Sequence, residues 1–125
     1  MADEISISLN FSVTQGYFSR TLKSQFNDDF PITGVGGGIQ KIGTTPEEID
    51  FGDVTYEGWL HLENLDADNT IDWGPSSGAT WLACHKLTPG MAILVYVKPG
   101  VTFKAAARNA ESRLYVNCFD TCTGT

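Results

Sequence analysis

His61 and His85 are the only histidines in the chain, and any metal site or general base would have to start from them. Both fall in alternating segments that read as strands, and neither has a second ligand at a metal-binding spacing. They could still meet across a sheet, joined by an Asp or by Cys84, but the pattern favours histidines satisfied locally or at the surface. Asp66, Asp68 and Asp72 surround a turn, as the ligands of an oxygen-rich calcium loop do. The twelve-residue pattern fails, because Ile71 stands where that loop needs glycine and Ser77 where it needs a bidentate glutamate. Acidic and amide side chains in a turn are explained by bonding to their own backbone.

Gly34-Val35-Gly36-Gly37-Gly38 has the glycine content of a phosphate-binding loop but lacks the Gly-Lys-Ser/Thr ending, and no helix follows to offer its N-terminus to an anion. These glycines read as a bulge, a bend, a close backbone approach or a mobile loop. There is no nucleophile elbow and no Cys-His signature, and Glu47 and Glu48 are adjacent, so on a strand they diverge. The expectation is a protein that is not an enzyme, with no catalytic residue, no cofactor and no metal. The last constellation is aromatic: Trp59, Trp73 and Trp81 with Tyr56, Tyr96 and Tyr115. Core packing is their ordinary use, but on a sheet face such rings stack on sugars or anchor protein interfaces. Trp59, Trp73, Trp81, Leu94 and Tyr96 are the candidate interface residues.

The elements that must position these residues are strands. Thr88-Pro89-Gly90 and Lys98-Pro99-Gly100 bracket the run Met91 to Val97. Proline presets the φ of the first central residue of a type II turn and glycine supplies the positive φ of the second, so a strand is expected between them. Met91, Ile93, Val95 and Val97 alternate with Ala92, Leu94 and Tyr96, and both sets are apolar. Such a strand needs cover on two faces: it is central in a sandwich, or another chain covers it.

Elsewhere the periodicity is cleaner. Ile5, Ile7, Leu9, Phe11 and Val13 alternate with Ser6, Ser8, Asn10, Ser12 and Thr14, and a turn at Gln15-Gly16 leads into a return strand, Tyr17 to Phe26. Further strands are expected over 32–42, 58–65, 70–73, 80–87 and 112–119, with a turn at Pro75-Ser76-Ser77-Gly78. Thr45-Pro46 with Glu48 is a helix-start signal, but the pattern breaks at once and grants a single turn or an extended segment. Val101 to Ala110 is ambiguous, since Ala105-Ala106-Ala107 favours helix by propensity but the run is short. About eight short strands with little helix predict an all-β fold: an antiparallel β-sandwich over residues 1–125, with the N-terminal hairpin at about 4–26. A jelly roll would satisfy the pattern.

Composition bounds the rest. A chain of 125 residues can bury roughly two thirds of its unfolded surface in one core. The net charge of −7 and the scatter of the eight basic residues argue against nucleic acid as a partner. No stretch approaches the roughly 20 apolar residues of a membrane span, and Met1-Ala2-Asp3-Glu4 lacks the basic-then-apolar order of a signal peptide, so synthesis in cytoplasm and no membrane partner are expected. Three cysteines cannot all pair. A Cys118-Cys122 disulfide is open to the spacing, beside the alternative of a buried Cys84 and two thiols.

The order of the Gly-rich strand, Glu48-Ile49-Asp50-Phe51-Gly52-Asp53-Val54, Gly58-Trp59-Leu60, Glu63-Asn64-Leu65-Asp66, Trp73-Gly74, Leu87-Thr88-Pro89-Gly90, Lys98-Pro99-Gly100 and Lys104-Ala105-Ala106-Ala107 resembles that of small β-rich virion proteins of tailed bacteriophages. The resemblance runs from about Ile32 to Phe119, and the hairpin and the segment after Cys118 depart from it. It implies a capsid decoration, or cement, protein on the outside of the head, made in the host bacterial cytoplasm. Its implied partner is the major capsid protein, and its implied state is a homo-oligomer, a trimer foremost. A tail or head-to-tail connector component is the alternative within that class. Outside it stands a carbohydrate-binding β-sandwich module that would use Trp59, Trp73 or Trp81 as stacking platforms.

Overall fold

A computed structural model of the chain describes residues 5–28, 35–52, 54 and 57–120. Internal contacts divide the chain into two units, residues 1–31 and 32–125. In the first, β1 (Ile5–Gln15) and β2 (Phe18–Asp28) pair antiparallel through their whole length, from Ile5 opposite Asp28 to Gln15 opposite Phe18. Gly16 turns the chain at φ 56°, a value glycine adopts without steric cost. The alternation in the sequence becomes two unlike faces. One carries cross-strand pairs such as Ile7 with Phe26 and Phe11 with Leu22. The other is a polar ladder in which the hydroxyls of Ser12 and Thr21 lie 3.3 Å apart and those of Thr14 and Ser19 3.4 Å apart.

The second unit contains β3 (Val35–Ile42), β4 (Glu47–Glu48), β5 (Glu57–Asn64), β6 (Ile71–Ser77), β7 (Thr80–Trp81), β8 (His85–Leu87), β9 (Ala92–Tyr96), β10 (Thr102–Ala107) and β11 (Ser112–Asp120). A four-stranded sheet runs β3-β11-β5-β9, and a five-stranded one runs β4-β10-β6, with β7 and β8 both on the far side of β6. Every pairing is antiparallel. The inner faces share one core: Ile42, Leu60, Leu62, Leu114, Val116 and Cys118 from one sheet with Ile71, Trp73, Leu87, Ala105 and Ala107 from the other. This is the antiparallel β-sandwich that the strand count and turn spacing predicted.

The structure adds strands to the expected set. Ala105-Ala106-Ala107 is strand, buried on both faces, so small side chains serve close packing here and override helix propensity. At Thr45 to Glu48 the helix-start signal yields to β4: the Glu47 carboxylate accepts the Gly43 N–H at 3.3 Å, and Ile49 N–H reaches Phe103 O at 2.8 Å. β6 continues through Pro75 to Ser77, past the expected turn, and the chain reverses at Gly78. The expected strand over 80–87 is split at 82–84, where the Leu82 carbonyl presses on Gly74. A Cβ on Gly74 would stand 1.9 Å from that oxygen.

The glycine run also has a physical reason. Gly36 and Gly37 lie inside β3, and Asp50-Phe51-Gly52 crosses it so closely that a Cβ on Gly36 would lie 1.9 Å from Phe51 O. Gln40 pins the crossing, donating to Glu48 O at 2.8 Å and accepting Asp50 N–H at 2.9 Å. Close backbone approach is the reading that holds among those the sequence left open.

The strand between the two Pro-Gly turns is β9. Met91 N–H donates to Thr88 O at 2.9 Å and Gly90 sits at φ 77°, completing the turn drawn from Pro89-Gly90. The strand is not central. It lies at the edge of its sheet, bonded to β5 alone, with Ile93 and Val95 packed on the core and Ala92, Leu94 and Tyr96 exposed. The proposed partner of Cys118, Cys122, lies outside the described residues, as does Tyr56; Cys118 is buried. Among the described residues there is no helix, hence none long and apolar enough to cross a membrane.

Candidate interaction surface

The outward side chains of the four-stranded sheet follow from its register. Burial alternates along β5, placing Leu60, Leu62 and Asn64 inward and Trp59, His61 and Glu63 outward. β11 alternates likewise, with Tyr115, Asn117 and Phe119 on the outer side. Cross-strand pairing then builds rows: Tyr96-Trp59-Phe119, then Leu94-His61-Asn117, then Ala92-Glu63-Tyr115-Ile39. Lys41 and Arg113 pair beyond them, so the face grades from aromatic at one end to cationic at the other.

These rows are held by specific contacts. The Trp59 and Tyr96 rings lie 4.6 Å apart at 47°. The His61 ring meets Tyr115 edge-on at 6.0 Å, and the Asn117 amide donates to His61 Nδ1 at 3.2 Å, which fits the tautomer with its proton on Nε2. His61 is thereby spent as a structural element of the face. Tyr96 is 55% and Ile39 61% exposed, so the patch presents large apolar area on a rigid sheet.

Of the five interface candidates, Trp59, Leu94 and Tyr96 come together here. Trp73 does not. It is 2% exposed, in the core against Phe103 and stacked on His85 at 4.6 Å, and presents no surface for a partner. Trp81 is half-buried on the other sheet, where its indole N–H donates to Lys104 O at 3.1 Å. Ile39 and Phe119 belong to the patch although their segments gave no reason to single them out, and Tyr115, part of the aromatic constellation but not of the five candidates, joins them. The signal was the alternation of β11, which named two faces without saying which one was wet.

The residues weighed for chemistry are dispersed or already engaged. His61 and His85 stand on different sheets. Asp66 accepts N–H bonds from Asp68 at 2.9 Å and Asn69 at 2.6 Å, and these bonds hold its carboxyl below the usual range. Asp72 takes Arg108 in a two-bond fork at 2.9 and 3.0 Å, and that hydrogen bonding raises the guanidinium's already high pKa. Among the described residues no three His, Cys, Asp or Glu side chains converge to hold a metal. A cleft of about 600 Å³ beside Pro75–Gly78, Leu82 and Gly100–Thr102 is lined, among the described residues, by no ionisable group.

Buried Asn64 organises one end of the sandwich. Its amide donates to Asn69 O at 2.8 Å and Leu87 O at 2.9 Å, its oxygen accepts Asp66 N–H at 2.9 Å, and its backbone bonds Met91 and Gly90. The acidic turn and the entry to β9 are thus fixed by one side chain.

The class these features define is an all-β sandwich with an aromatic outer sheet face. No protein-family model, curated protein or solved structure matches the chain.

Proposed function

We propose that the protein is a non-enzymatic structural component of a tailed-phage virion, a decoration protein that binds the outside of the head. The observation that carries this reading is the outer face of the four-stranded sheet, where Tyr96, Trp59 and Phe119 form one row flanked by Leu94, Tyr115 and Ile39. Large aromatics on a rigid, partly exposed face are the usual anchors of protein interfaces. The sequence resemblance names the kind of partner, the major capsid protein, and a homo-oligomer, a trimer foremost, as the state that binds. The acidic balance suits an exterior position, away from packaged nucleic acid.

The mechanism is linkage. A protein that binds the assembled shell and not its free subunits stabilises the assembled state by mass action. Particles stripped of this protein are expected to lose resistance to heat and internal pressure and to regain it on adding the protein back. Equal resistance with and without it would end the proposal. Many copies spread over the shell support decoration, whereas a few copies at one vertex would mark a tail or connector component.

The half-buried Trp59 with the exposed Tyr96 beside it also favours a second reading, a carbohydrate-binding module. Trp73 is removed by its core burial, and Trp59, which shares its face with the exposed Tyr96, is the platform this reading would use. Tryptophan fluorescence unchanged across a broad glycan panel would dismiss it.

A further inference from the structure

The N-terminal hairpin carries an apolar face that the sandwich reading does not use. Leu9, Phe11, Val13, Phe18, Leu22 and Phe26 are all exposed, Phe11 at 59% and Leu22 at 55%. A two-stranded ribbon has no second layer to cover such a face and is marginal in water by itself. The opposite face is Ser, Thr, Asn, Gln and Lys throughout its register, so cover is needed on one side only. We infer that the apolar face of this hairpin is buried against the same face of another copy of the chain, making it the element that holds a homo-oligomer together. The inference rests on the ribbon's own pattern and stands independently of the virion reading.

Three observations select a copy of itself as occupant. The first is area. With aromatic side chains of roughly 200 Å² each, these exposures leave roughly 600 Å² of apolar surface per copy. Two such faces together bury roughly 1,200 Å², where specific stable interfaces begin.

The second is charge. Between Ile5 and Asp28 the ionisable side chains are Arg20, Lys23, Asp28 and the Tyr17 phenol, so within a chain of net charge −7 this ribbon is nearly neutral and its own charge opposes self-association little. Arg20 lies over the Phe18 ring at 5.7 Å, near the turn, and a two-fold antiparallel pairing sets the two arginines at opposite ends.

The third is shape. Two ribbons of identical length and alternation can pack face to face at the roughly 10 Å spacing of stacked sheets, whereas edge-to-edge pairing would leave the apolar faces wet.

The test is the mass of the full-length protein by analytical ultracentrifugation over a dilution series. The expected result is a particle of two copies, because an isologous face-to-face pairing closes at two, and a trimer would overturn that pairing. In the double variant Phe11→Asp/Leu22→Asp the concentration needed for association should rise at least about a hundredfold. The variant Ser8→Asp/Asn10→Asp puts the same charge on the polar face and should leave the mass unchanged, which separates loss of the interface from loss of the hairpin. Leu94→Asp, on the sandwich, should also keep the mass. A monomer at all concentrations, including one whose hairpin amides are protected from exchange by its own sandwich, overturns the inference. So does dissociation by the polar-face variant to the same extent.

Discussion

Trp59 and Tyr96 face each other across the β5–β9 pairing, ring centres 4.6 Å apart, on the outer side of the four-stranded sheet. The pair joins an edge strand to an interior strand at the surface and not in the core. Apolar residues that looked like core in the sequence are therefore available to a partner. Leu94, two residues before Tyr96 and opposite His61, shares that face.

Leu94→Asp separates the two uses. The side chain is 36% exposed on an edge strand, so the variant should fold, with a change in unfolding free energy below about 1 kcal/mol in urea denaturation. Under the proposed head-decoration function, the variant should not bind capsid particles. A variant that fails to fold would return Leu94 to the core and remove the surface.

Gly36→Ala should cost about 2 kcal/mol, because the added methyl meets the Phe51 carbonyl, which is backbone and cannot swing aside. Gly43→Ala is the control. Its Cβ would approach only Glu47 Oε2, at 3.6 Å, and should change stability by less than about 0.5 kcal/mol. Equal thermal shifts for both variants would refute the close crossing of β3 by 50–52.

Asn64→Leu keeps the branched heavy-atom skeleton and removes three hydrogen bonds at a fully buried site. It leaves the Asn69 and Leu87 carbonyls and the Asp66 amide without their partner, and should cost about 3 kcal/mol. Hydrogen exchange should quicken in 64–70 and at the entry to β9 before it does in β11. Uniform acceleration along the chain would show that Asn64 has no local organising role.

Asp66 sets a pH dependence whose sign is fixed. Its carboxylate is favoured in the folded state, first by the Asp68 N–H and then by that of Asn69. A depressed folded pKa adds stability above the unfolded value of ~3.9, and that stability disappears as pH falls through the lower folded value. The Tm gap between the native protein and Asp66→Asn should be widest at neutral pH and close in acid. A gap independent of pH would show that the charge contributes nothing.

Turn chemistry and period made much of this fold legible in the sequence. Pro89-Gly90 and Pro99-Gly100 fixed both ends of β9 because the φ values they require leave few alternatives, and Gly90 and Gly100 adopt them at 77° and 86°. Strict alternation gave β1 and its polar and apolar faces, and the aromatic and Leu94 candidates included three residues of the outer patch. What local preference left open, packing decided. Ala105 to Ala107 became strand because both faces are covered, and at the end of the Thr45 to Glu48 segment Glu47 and Glu48 became strand because β10 offered an edge to pair with.

By itself, then, the sequence determined that this chain is all-β, where its tight turns fall and which residues share a face, since these depend on φ limits and a period of two. Only the tertiary structure decided which face is inside. Trp73 and Trp59 are the same residue type in similar strands, yet one lies between the sheets and the other on the outer surface. The difference is set by strand order and sheet stacking, which are contacts between distant segments that no local pattern encodes.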